Sequence, residues 1–549
     1  MELRLSPAPP RSAGGLDRIS TLSSGGERSG RSARARSSQL VASIFEPVFT
    51  SKSDSLSLLR PGSLFGSPVP SPRSSGPGGV DRISDLPDDL LLLVLDRLSC
   101  VRTAARASVL SRRWRGLWTR LPTLVFHNIP FPSVEPVLAG VVSSDSTSTV
   151  SRLVICPPNR PFSVRAGEPR VSLASLLRTA AWLSPEQLIL AIPSGEDFFK
   201  SVELPCFERA TSISLYSSVA VWPPATGELF PALTTLVLSG CASAAYSALE
   251  DLVLRCPRLR VLRYTLPGGF LLDITVRSLS LRELVIEDTD RWTWIRKINL
   301  AAPMLERLIM SSHVAGPTSV SVLAPMASNI LWRCHYNGGF KELPDWTLET
   351  VSLLSTTTRA AVADGPQLPV LRIGAIKKPY YYRRLFWAQN DFSRELEKHL
   401  RMQVAVHLSV LDLELHLAPL GHVYGAVTFY FLRMHTICTT IRTLKVAVPR
   451  STDKEKCQEY CGCEPAHWRS QIVSLTKLEQ VEIDGFQGDK REFDFLEHIL
   501  RCAPMLINVI LKHSGEGVPS EAQIHELSLA HPSMEWHYVI SSASVSMAA

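Results

Sequence analysis

The densest hydrophobic pattern in the chain is an unbroken apolar run near residue 90. Residues 90–95 read LLLLVL, and Leu98 extends the run. On one helix these side chains point in every direction around the axis, and such a helix must be buried on every side. The surrounding segment 81–127 is too short to bury that much apolar surface by itself. We therefore predict that the surplus apolar face docks on another protein.

Local signals around this run predict a compact group of helices. Pro87 suits the first position of a helix, and Asp88 and Asp89 then place negative charge near the positive helix end. An alanine-rich second helix is predicted over 102–110, and Ser111 can cap a third helix. The alternative to a docking surface is a small helical core that packs only on the rest of this chain. One face of the third helix would carry Trp114, Leu117 and Trp118.

A second pattern, L-x-x-L-x-L, recurs through the middle and the end of the chain. Residues 233–241 read LTTLVLSGC, and five further copies follow at spacings of 21–26 residues. Each copy predicts a short strand whose leucines point inward, and neighbouring copies must stack to bury them. The alternative, a sandwich of unrelated strands, does not explain the regular leucine spacing. The copies, including three later ones, begin at Leu233, Leu259, Leu281, Leu305, Ala327, Leu348, Ile441, Leu478 and Leu506.

Other stretches fit the same array. Residues 188–192 and 213–215 predict strands of earlier, irregular repeats. Alternating apolar positions in 404–417 predict one or two strands. Near the C-terminus, 478–483 predicts a strand, a glycine turn follows, and apolar positions at helical spacing predict a helix over about 492–502 before a final strand.

A cluster of aromatic and basic residues interrupts the repeats at 380–387. It reads YYYRRLFW and includes Arg383 and Arg384. Such residues can stack on RNA bases or form the hot spot of a protein interface. We favour a third interpretation, a bulky insertion that packs on the repeats, and nucleic acid is therefore not an expected partner.

Composition excludes several classes of protein. The chain has 549 residues, of which 45% are hydrophobic and 20% charged, which is typical of a folded protein. No apolar run approaches the roughly eighteen residues of a membrane helix, and the N-terminus lacks the pattern of a secretory signal. Residues 1–80 are rich in Ser, Pro, Gly and Arg and hold much of the net charge of +7. They predict a disordered leader, with a transit peptide as the less favoured alternative.

Cysteine usage bears on the compartment and on metal binding. Eleven scattered cysteines and the lack of any N-x-Ser/Thr acceptor favour the cytoplasm or nucleus. Cys457, Cys461, Cys463 and His467 offer four soft ligands that could bind zinc, but their C-x-C spacing is tight, and a loop with reduced thiols is favoured. The chain has neither a phosphate-binding loop nor a G-x-S-x-G elbow. We predict no catalytic residue, no cofactor and no metal.

The segment around the apolar run resembles an F-box. LPDDLLLLVLDRL, a gap, and ASVLSRRWRGLW follow the family order of Leu-Pro-acid, hydrophobic helix and Val-Leu-Ser-basic-basic-Trp. The resemblance implies compact helices that bind a Skp-type adaptor, which joins a cullin scaffold, a RING subunit and a ubiquitin-conjugating enzyme. The positions that the family uses to contact the adaptor, or to support that contact, correspond to Leu86, Pro87, Leu90, Val94, Leu98, Val109, Leu110 and Trp114.

The end of the chain resembles the FBD module of plant F-box proteins. The helix and strands of 478–512 carry the resemblance, and CGCEPAHW at 461–468 resembles a loop of grass-type members. The implied fold class is α/β, with a small helical F-box, an irregular leucine-rich-repeat solenoid and an FBD-like cap. The expected domains are a leader at 1–80, the F-box at 81–127, the solenoid at 128–440, terminal repeats with the FBD module at 441–515, and a C-terminal end at 516–549 whose last residues fray.

The combined resemblance implies a non-catalytic adaptor. The F-box would hold the core of an SCF-type ubiquitin ligase, and the repeats would hold an unknown target protein for ubiquitination, with no membrane involved. One alternative is a leucine-rich-repeat scaffold that binds a partner outside ubiquitination. A nucleic-acid binder that uses the basic leader and the aromatic cluster ranks third. The target cannot be read from the sequence, because the leucine skeleton specifies architecture rather than specificity.

Overall fold

The structure is a computed structural model that describes most of the chain within 86–540. Several predicted features lie outside the described residues: the leader, the aromatic cluster at 380–387, the fraying end, and the zinc candidates Cys457, Cys461, Cys463 and His467. Within 86–540 the description omits residues 99, 144–149, 159–172, 193–200, 218–219, 225–226, 228, 242–247, 268–270, 289–293, 341–342, 344, 357–367, 378–409, 421, 450–467 and 514–520.

The first described elements form a small group of helices, as predicted. The predicted third α-helix is wrong, because Gly116 adopts a left-handed φ of 80° that ends any continuous helix. Ser111 precedes a shorter turn and makes no side-chain capping hydrogen bond. The elements are α1 (Asp88–Asp96), α2 (Val101–Arg106), and 3-10 helices at Ala107–Val109, Arg112–Trp114 and Leu117–Arg120.

Parallel strands follow, which confirms the predicted α/β fold class and the strands of the upstream and central repeats. Strands are numbered in chain order, and each strand of the first run pairs in parallel with the next. This run contains β1 (Thr123–His127), β2 (Arg152–Cys156), β3 (Gln187–Ala191), β5 (Ser212–Tyr216), β7 (Thr235–Ser239), β8 (Val261–Leu266), β10 (Glu283–Asp288), β12 (Arg307–Leu323) and β13 (Asn329–Gly339).

One strand in the middle of the sheet runs the other way. Strand β14 (Trp346–Thr356) pairs antiparallel with β13 on one side and with β15 (Val370–Lys377) on the other. The prediction of a parallel repeat at Leu348 is therefore wrong. The link from β13 to β14, residues 340–345, is shorter than the dozen or so residues that a parallel crossover needs, so a hairpin forms.

A second parallel run continues from β15 and confirms the later predicted strands. Each strand again pairs in parallel with the next. The run extends one helix and one strand beyond residue 515, further than the sequence pattern indicated. Its strands after β15 are β16 (Leu411–Ala418), β17 (Ile441–Ala447), β18 (Gln480–Phe486), β19 (Asn508–His513) and β20 (Glu535–Ile540).

The repeat leucines form continuous buried rows across the sheet. Leu236, Leu262 and Leu284 are direct register partners on β7, β8 and β10, and each is at most 1% exposed. Leu238, Tyr264 and their partners form a parallel row two residues further along each strand. Because every strand contributes the same two positions, neighbouring repeats bury one another's leucines, as a solenoid requires.

The return segments complete the core on the far side of these rows. In the middle repeats they are strands rather than helices, since β9 (Leu271–Arg277) and β11 (Trp294–Ala301) pair in parallel with each other, and β11 pairs with the last residues of β12. The return elements are α3 (Phe131–Ser143), α4 (Leu173–Trp182), β4 (Ser201–Glu203), β6 (Ala220–Trp222), α5 (Ala248–Leu254), β9 (Leu271–Arg277) and β11 (Trp294–Ala301).

The C-terminal repeats return through helices, and the predicted helix near 492–502 is confirmed as α8. Asp489 caps α8 by accepting hydrogen bonds from the backbone N–H groups of Arg491 and Glu492, each at 2.8 Å. The Glu492 carboxylate is buried and accepts from the N–H groups of Gln487 and Gly488 at 2.8 and 2.7 Å. The helices are α6 (Gly425–Leu432), α7 (His435–Cys438), α8 (Lys490–Cys502) and α9 (Glu521–Ala530), with a 3-10 helix at Trp468–Ser470.

Candidate adaptor-docking surface

Helix α1 is buried on one side and open on the other. Leu91 and Leu95, one turn apart, are 0% and 1% exposed and belong to the core of the chain. The other side carries three exposed apolar residues at positions i, i+3 and i+4, and a fourth at i+8 lies two residues beyond the end of the helix. These residues, the docking stripe, are Leu90, Leu93, Val94 and Leu98, with exposures of 44%, 61%, 46% and 38%.

A second exposed apolar pair lies at the end of the next helical segment. Val109 closes the 3-10 helix that follows α2, and Leu110 comes directly after it. These side chains are 87% and 73% exposed, and as adjacent residues they form a second apolar patch. Both are among the positions that the F-box resemblance predicts for adaptor contact.

The beginning of α1 is held by backbone and charge contacts. The Pro87 carbonyl accepts hydrogen bonds from the N–H groups of Leu90 and Leu91 at 3.0 and 3.2 Å. The Asp88 carboxylate accepts from the Arg113 guanidinium at 2.8 Å and lies 3.6 Å from Arg120. Negative charge at this helix end also interacts favourably with the helix dipole. The contacts fix α1 to the 3-10 helices and leave the docking stripe facing outward.

A small core beneath α1 supports the stripe. Trp114 is 6% exposed, and its carbonyl accepts a hydrogen bond from the Ser108 hydroxyl at 3.4 Å. Trp114 therefore belongs to the core and not to the exposed surface. Leu86 is partly buried against the same core, whereas Pro87 is exposed. The other buried side chains of this core are Val101, Ala104, Leu117 and Leu121.

Sequence reasoning missed Leu93, which is the most exposed residue of the docking stripe. Within the run at 90–95 every position is apolar, so the sequence alone cannot show which side packs inward. The spacing from Leu90 to Val94 and Leu98 would have included Leu93 once those three were assigned to one face.

The docking stripe can contribute substantially to binding. A fully buried Leu or Val side chain is worth about 1.5–3 kcal/mol, so four half-exposed side chains would contribute roughly 3–6 kcal/mol when a partner covers them. Exposed apolar patches rimmed by polar residues are typical of protein interaction sites. The charged side chains around this stripe include Asp89, Asp96 and Arg97, all exposed.

Metal ions, membranes and reactive thiols are three other matters on which the described part of the chain bears. No three His, Cys, Asp or Glu side chains gather there in a way that could hold a metal ion. None of the described helices is long and apolar enough to span a membrane. Burial raises the pKa of the Cys156 thiol to about 11 and that of the Cys241 thiol to about 12, which makes both poor nucleophiles.

Comparison with known proteins gives independent support for the F-box and for part of the repeats. The family model of the F-box domain matches residues 83–126. A model described as FBD-associated F-box protein At5g56370, LRR repeats, matches residues 188–327. The first match covers α1, α2 and the 3-10 helices, and the second covers strands β3 to β12 of the first parallel run.

Individual relatives come from Arabidopsis thaliana. F-box/LRR-repeat protein At3g26922 is 30% identical over 234 residues, which cover 42% of this chain and 74% of the relative. F-box protein At3g03040 is 28% identical over 449 residues, 77% of this chain and 87% of the relative. F-box/FBD/LRR-repeat protein At2g04230 is 61% identical over 48 residues, 9% of this chain and 10% of the relative. The chain belongs to the plant F-box/leucine-rich-repeat family, in the group associated with the FBD module.

Proposed function

We propose that this chain is the substrate-recognition subunit of an SCF-type ubiquitin ligase. The observation that carries the proposal is the docking stripe of α1, an apolar surface that the chain's own core leaves open. The F-box at 81–127 would bind a Skp-type adaptor through this stripe and through Val109 and Leu110. The adaptor would connect the chain to a cullin scaffold.

The repeats would hold a target protein. In this proposal the solenoid at 128–440 and the terminal repeats with the FBD module at 441–515 form the target-binding part. The mechanism is proximity, since a bound target presents its lysines to a charged conjugating enzyme at high effective concentration. The chain itself would supply no catalytic residue and no cofactor. The complex would act in the cytoplasm or the nucleus.

Co-purification of the full chain with a Skp-type adaptor tests the proposal. Leu93→Asp places a charge in the centre of the docking stripe and should abolish binding. Leu279→Asp is the matched control, because Leu279 is 82% exposed but lies in the repeats. Replacement of both Leu86 and Pro87 by alanine should also weaken binding. Unchanged adaptor binding by Leu93→Asp would reject the proposed role of the stripe.

A scaffold that acts outside ubiquitination is the alternative function. Both functions predict that the repeats bind a partner, but only the ligase function predicts recruitment of a cullin and ubiquitin transfer to the bound protein. Reconstitution of the chain with adaptor, cullin, RING subunit and conjugating enzyme distinguishes them. Adaptor binding without cullin recruitment would favour the scaffold.

A further inference from the structure

The main sheet has a face that points away from the core. In the main strands β7, β8, β10 and β12 to β19, the side chains that alternate with the buried positions lie on this open face. On β8, for example, Val261, Arg263 and Thr265 are partly or fully exposed, whereas Leu262, Tyr264 and Leu266 are buried. Parallel sheets are normally covered on both faces, so an open face on these strands is a surface that another molecule can cover.

An apolar row crosses this face where the first parallel run meets β14. Each of its five residues is a direct register partner of the next, on β10, β12, β13, β14 and β15. All five side chains are partly buried, so they remain accessible. With strands about 4.8 Å apart, the row is roughly 19 Å long, the length of about six residues of extended chain. The row consists of Val285, Ile309, Leu331, Leu354 and Val370.

Most basic side chains on the same face are already neutralised by a carboxylate on a neighbouring strand. Glu283 accepts from Arg263 at 2.8 Å and lies 3.7 Å from Arg307. Arg372 pairs with Glu414 at 2.5 Å. Further along the sheet, Glu482 lies between Lys445 and Lys512, at 3.1 and 2.8 Å.

Arg333 is the exception among the described outward-facing Arg and Lys side chains on the main strands β8, β10 and β12 to β19, the return strands left aside. It is exposed on β13, two residues beyond Leu331, and makes no ion pair with any described residue. Its direct register partners are Ser311 on β12 and Ser352 on β14, both small hydroxyl side chains. The nearest acidic residue in this row is Glu287, the partner of Ser311, on a strand whose backbone is about 10 Å from that of β13. The guanidinium is therefore available to an incoming anion.

Two stacked imidazoles border Arg333 on the side away from the apolar row. His313 and His335 are register partners whose rings lie 4.8 Å apart at 23°. Nδ1 of His313 is 2.8 Å from the Asp288 carboxylate, whose side chain is only 1% exposed. Asp288 is therefore committed to His313 beneath the surface. Arg333 therefore lies between the apolar row and the two stacked imidazole rings.

We propose that this part of the open face binds an extended segment of the target protein that carries an anionic side chain beside apolar ones. The apolar side chains would cover Leu331 and its row. The anionic group, a carboxylate or a phosphoryl group, would pair with Arg333 and accept hydrogen bonds from Ser311 and Ser352. The planar guanidinium presents parallel N–H donors that match both kinds of anion. This inference rests on the proposed function, and it names the class of target segment that the repeats recognise.

Three peptide arrays that differ at a single fixed position test the proposal. The fixed residue is phosphoserine, glutamate or serine, and the flanking positions are randomised. The full-length chain should prefer the phosphoserine array, or both anionic arrays, over the serine array by about tenfold or more, a difference of about 1.4 kcal/mol. Retention on both anionic arrays indicates a general acidic segment, whereas retention on the phosphoserine array alone indicates a phosphorylated one. Equal retention on all three arrays would overturn the proposal.

Variants of the full chain test whether Arg333 causes the preference for anionic peptides. Arg333→Ala should lose the preference for anionic peptides, and Arg333→Lys should keep part of it. Arg263→Ala is the matched control, since it removes an exposed arginine of the same face that is already paired with Glu283. Leu331→Asn should weaken binding of peptides with apolar flanks. A preference that survives in Arg333→Ala would contradict the assignment. Adaptor co-purification of the same proteins is a separate readout, so failure of the ligase function would not be mistaken for failure of this site.

Discussion

Helices α1 and α6 are both apolar on nearly every side, but only α6 is enclosed by its own chain. All eight residues of α6, GAVTFYFL, are buried. Of the nine residues of α1, DDLLLLVLD, only Leu91 and Leu95 are buried. The difference shows that a helix that is apolar on nearly every side can lie at the centre of a core or can leave an apolar surface exposed, depending on what surrounds it.

The surroundings of α6 explain its burial. The Phe429 ring packs against Trp468, Phe495 and His498, with centroid distances of 5.4, 5.8 and 4.5 Å. At the beginning of the helix, a Cβ on Gly425 would lie 2.9 Å from the Trp468 ring, so only glycine permits this close approach. Helix α1 has the 3-10 helices on one side and no comparable cover on the other among the described residues.

The largest loss of stability is expected for a substitution in the enclosed helix α6. Phe429→Ala should reduce the free energy of unfolding by about 3–5 kcal/mol, because it removes a ring that is 1% exposed and leaves a cavity. Urea unfolding of the full chain followed by tryptophan fluorescence measures the change. A loss below about 1 kcal/mol would mean that α6 is not enclosed as described.

Within α1, two leucines should behave differently. Leu91→Ala should cost about 2–5 kcal/mol of stability, because Leu91 is 0% exposed. Leu93→Ala, the same chemical change at a position that is 61% exposed, should cost no more than about 0.5 kcal/mol. The same unfolding assay compares the two variants. Similar losses would show that the chain seals both sides of the helix.

A smaller, pH-dependent effect is expected where α8 meets α6. Burial, together with the neighbouring Asp489 carboxylate, raises the pKa of Glu492 from 4.5 to about 7, although the Gln487 and Gly488 N–H groups and the Tyr424 hydroxyl oppose the shift. The folded state therefore binds the carboxyl proton of Glu492 more tightly than the unfolded state does. The stabilisation of the fold that results from this proton is lost as pH rises towards 7.

Glu492→Gln should remove this dependence. The variant should match the wild type below about pH 4.5 and be more stable by up to about 3 kcal/mol above about pH 7. Unfolding at several pH values checks the prediction. Glu497→Gln, an exposed change on the same helix, is the control. A constant difference between Glu492→Gln and the wild type at all pH values would contradict the described burial.

The smallest effect is expected for the charge contact that anchors α1. Asp88 and Arg113 are each about two-fifths exposed, and surface ion pairs contribute roughly 0–1 kcal/mol. Asp88→Asn should therefore lower stability by no more than about 1 kcal/mol and should do so less in high salt. Thermal unfolding at two salt concentrations measures this. A larger loss would mean that charge, rather than the apolar side of α1, holds the helix.

Much of the fold could be predicted because its signals are local. The L-x-x-L-x-L spacing located the strands, and the apolar stripe of α8 located that helix. The direction of β14 could not be predicted, since it depends on the short link before it and not on its own leucine pattern. The end of a helix at Gly116 was missed because the surrounding residues favour helix and only the left-handed backbone at this glycine shows the turn.

The candidate sites, too, could be predicted only as far as local sequence signals reach. The family resemblance assigned Leu90, Val94 and Leu98, whereas Leu93 emerged only once the packing of Leu91 and Leu95 fixed the rotation of α1. The apolar row that contains Leu331 was also missed, because its members lie between the repeat leucines and become neighbours only through the strand register. Contacts that depend on register and on helix rotation require the tertiary structure.

Hydrogen–deuterium exchange of the full chain, with and without a Skp-type adaptor, tests the central claim most directly. Amides of both helices can be followed in one sample. We expect the adaptor to slow exchange in α1 and around Val109 and Leu110, and to leave exchange in α6 unchanged. Unchanged exchange in α1 at an adaptor concentration that saturates the complex would contradict this expectation.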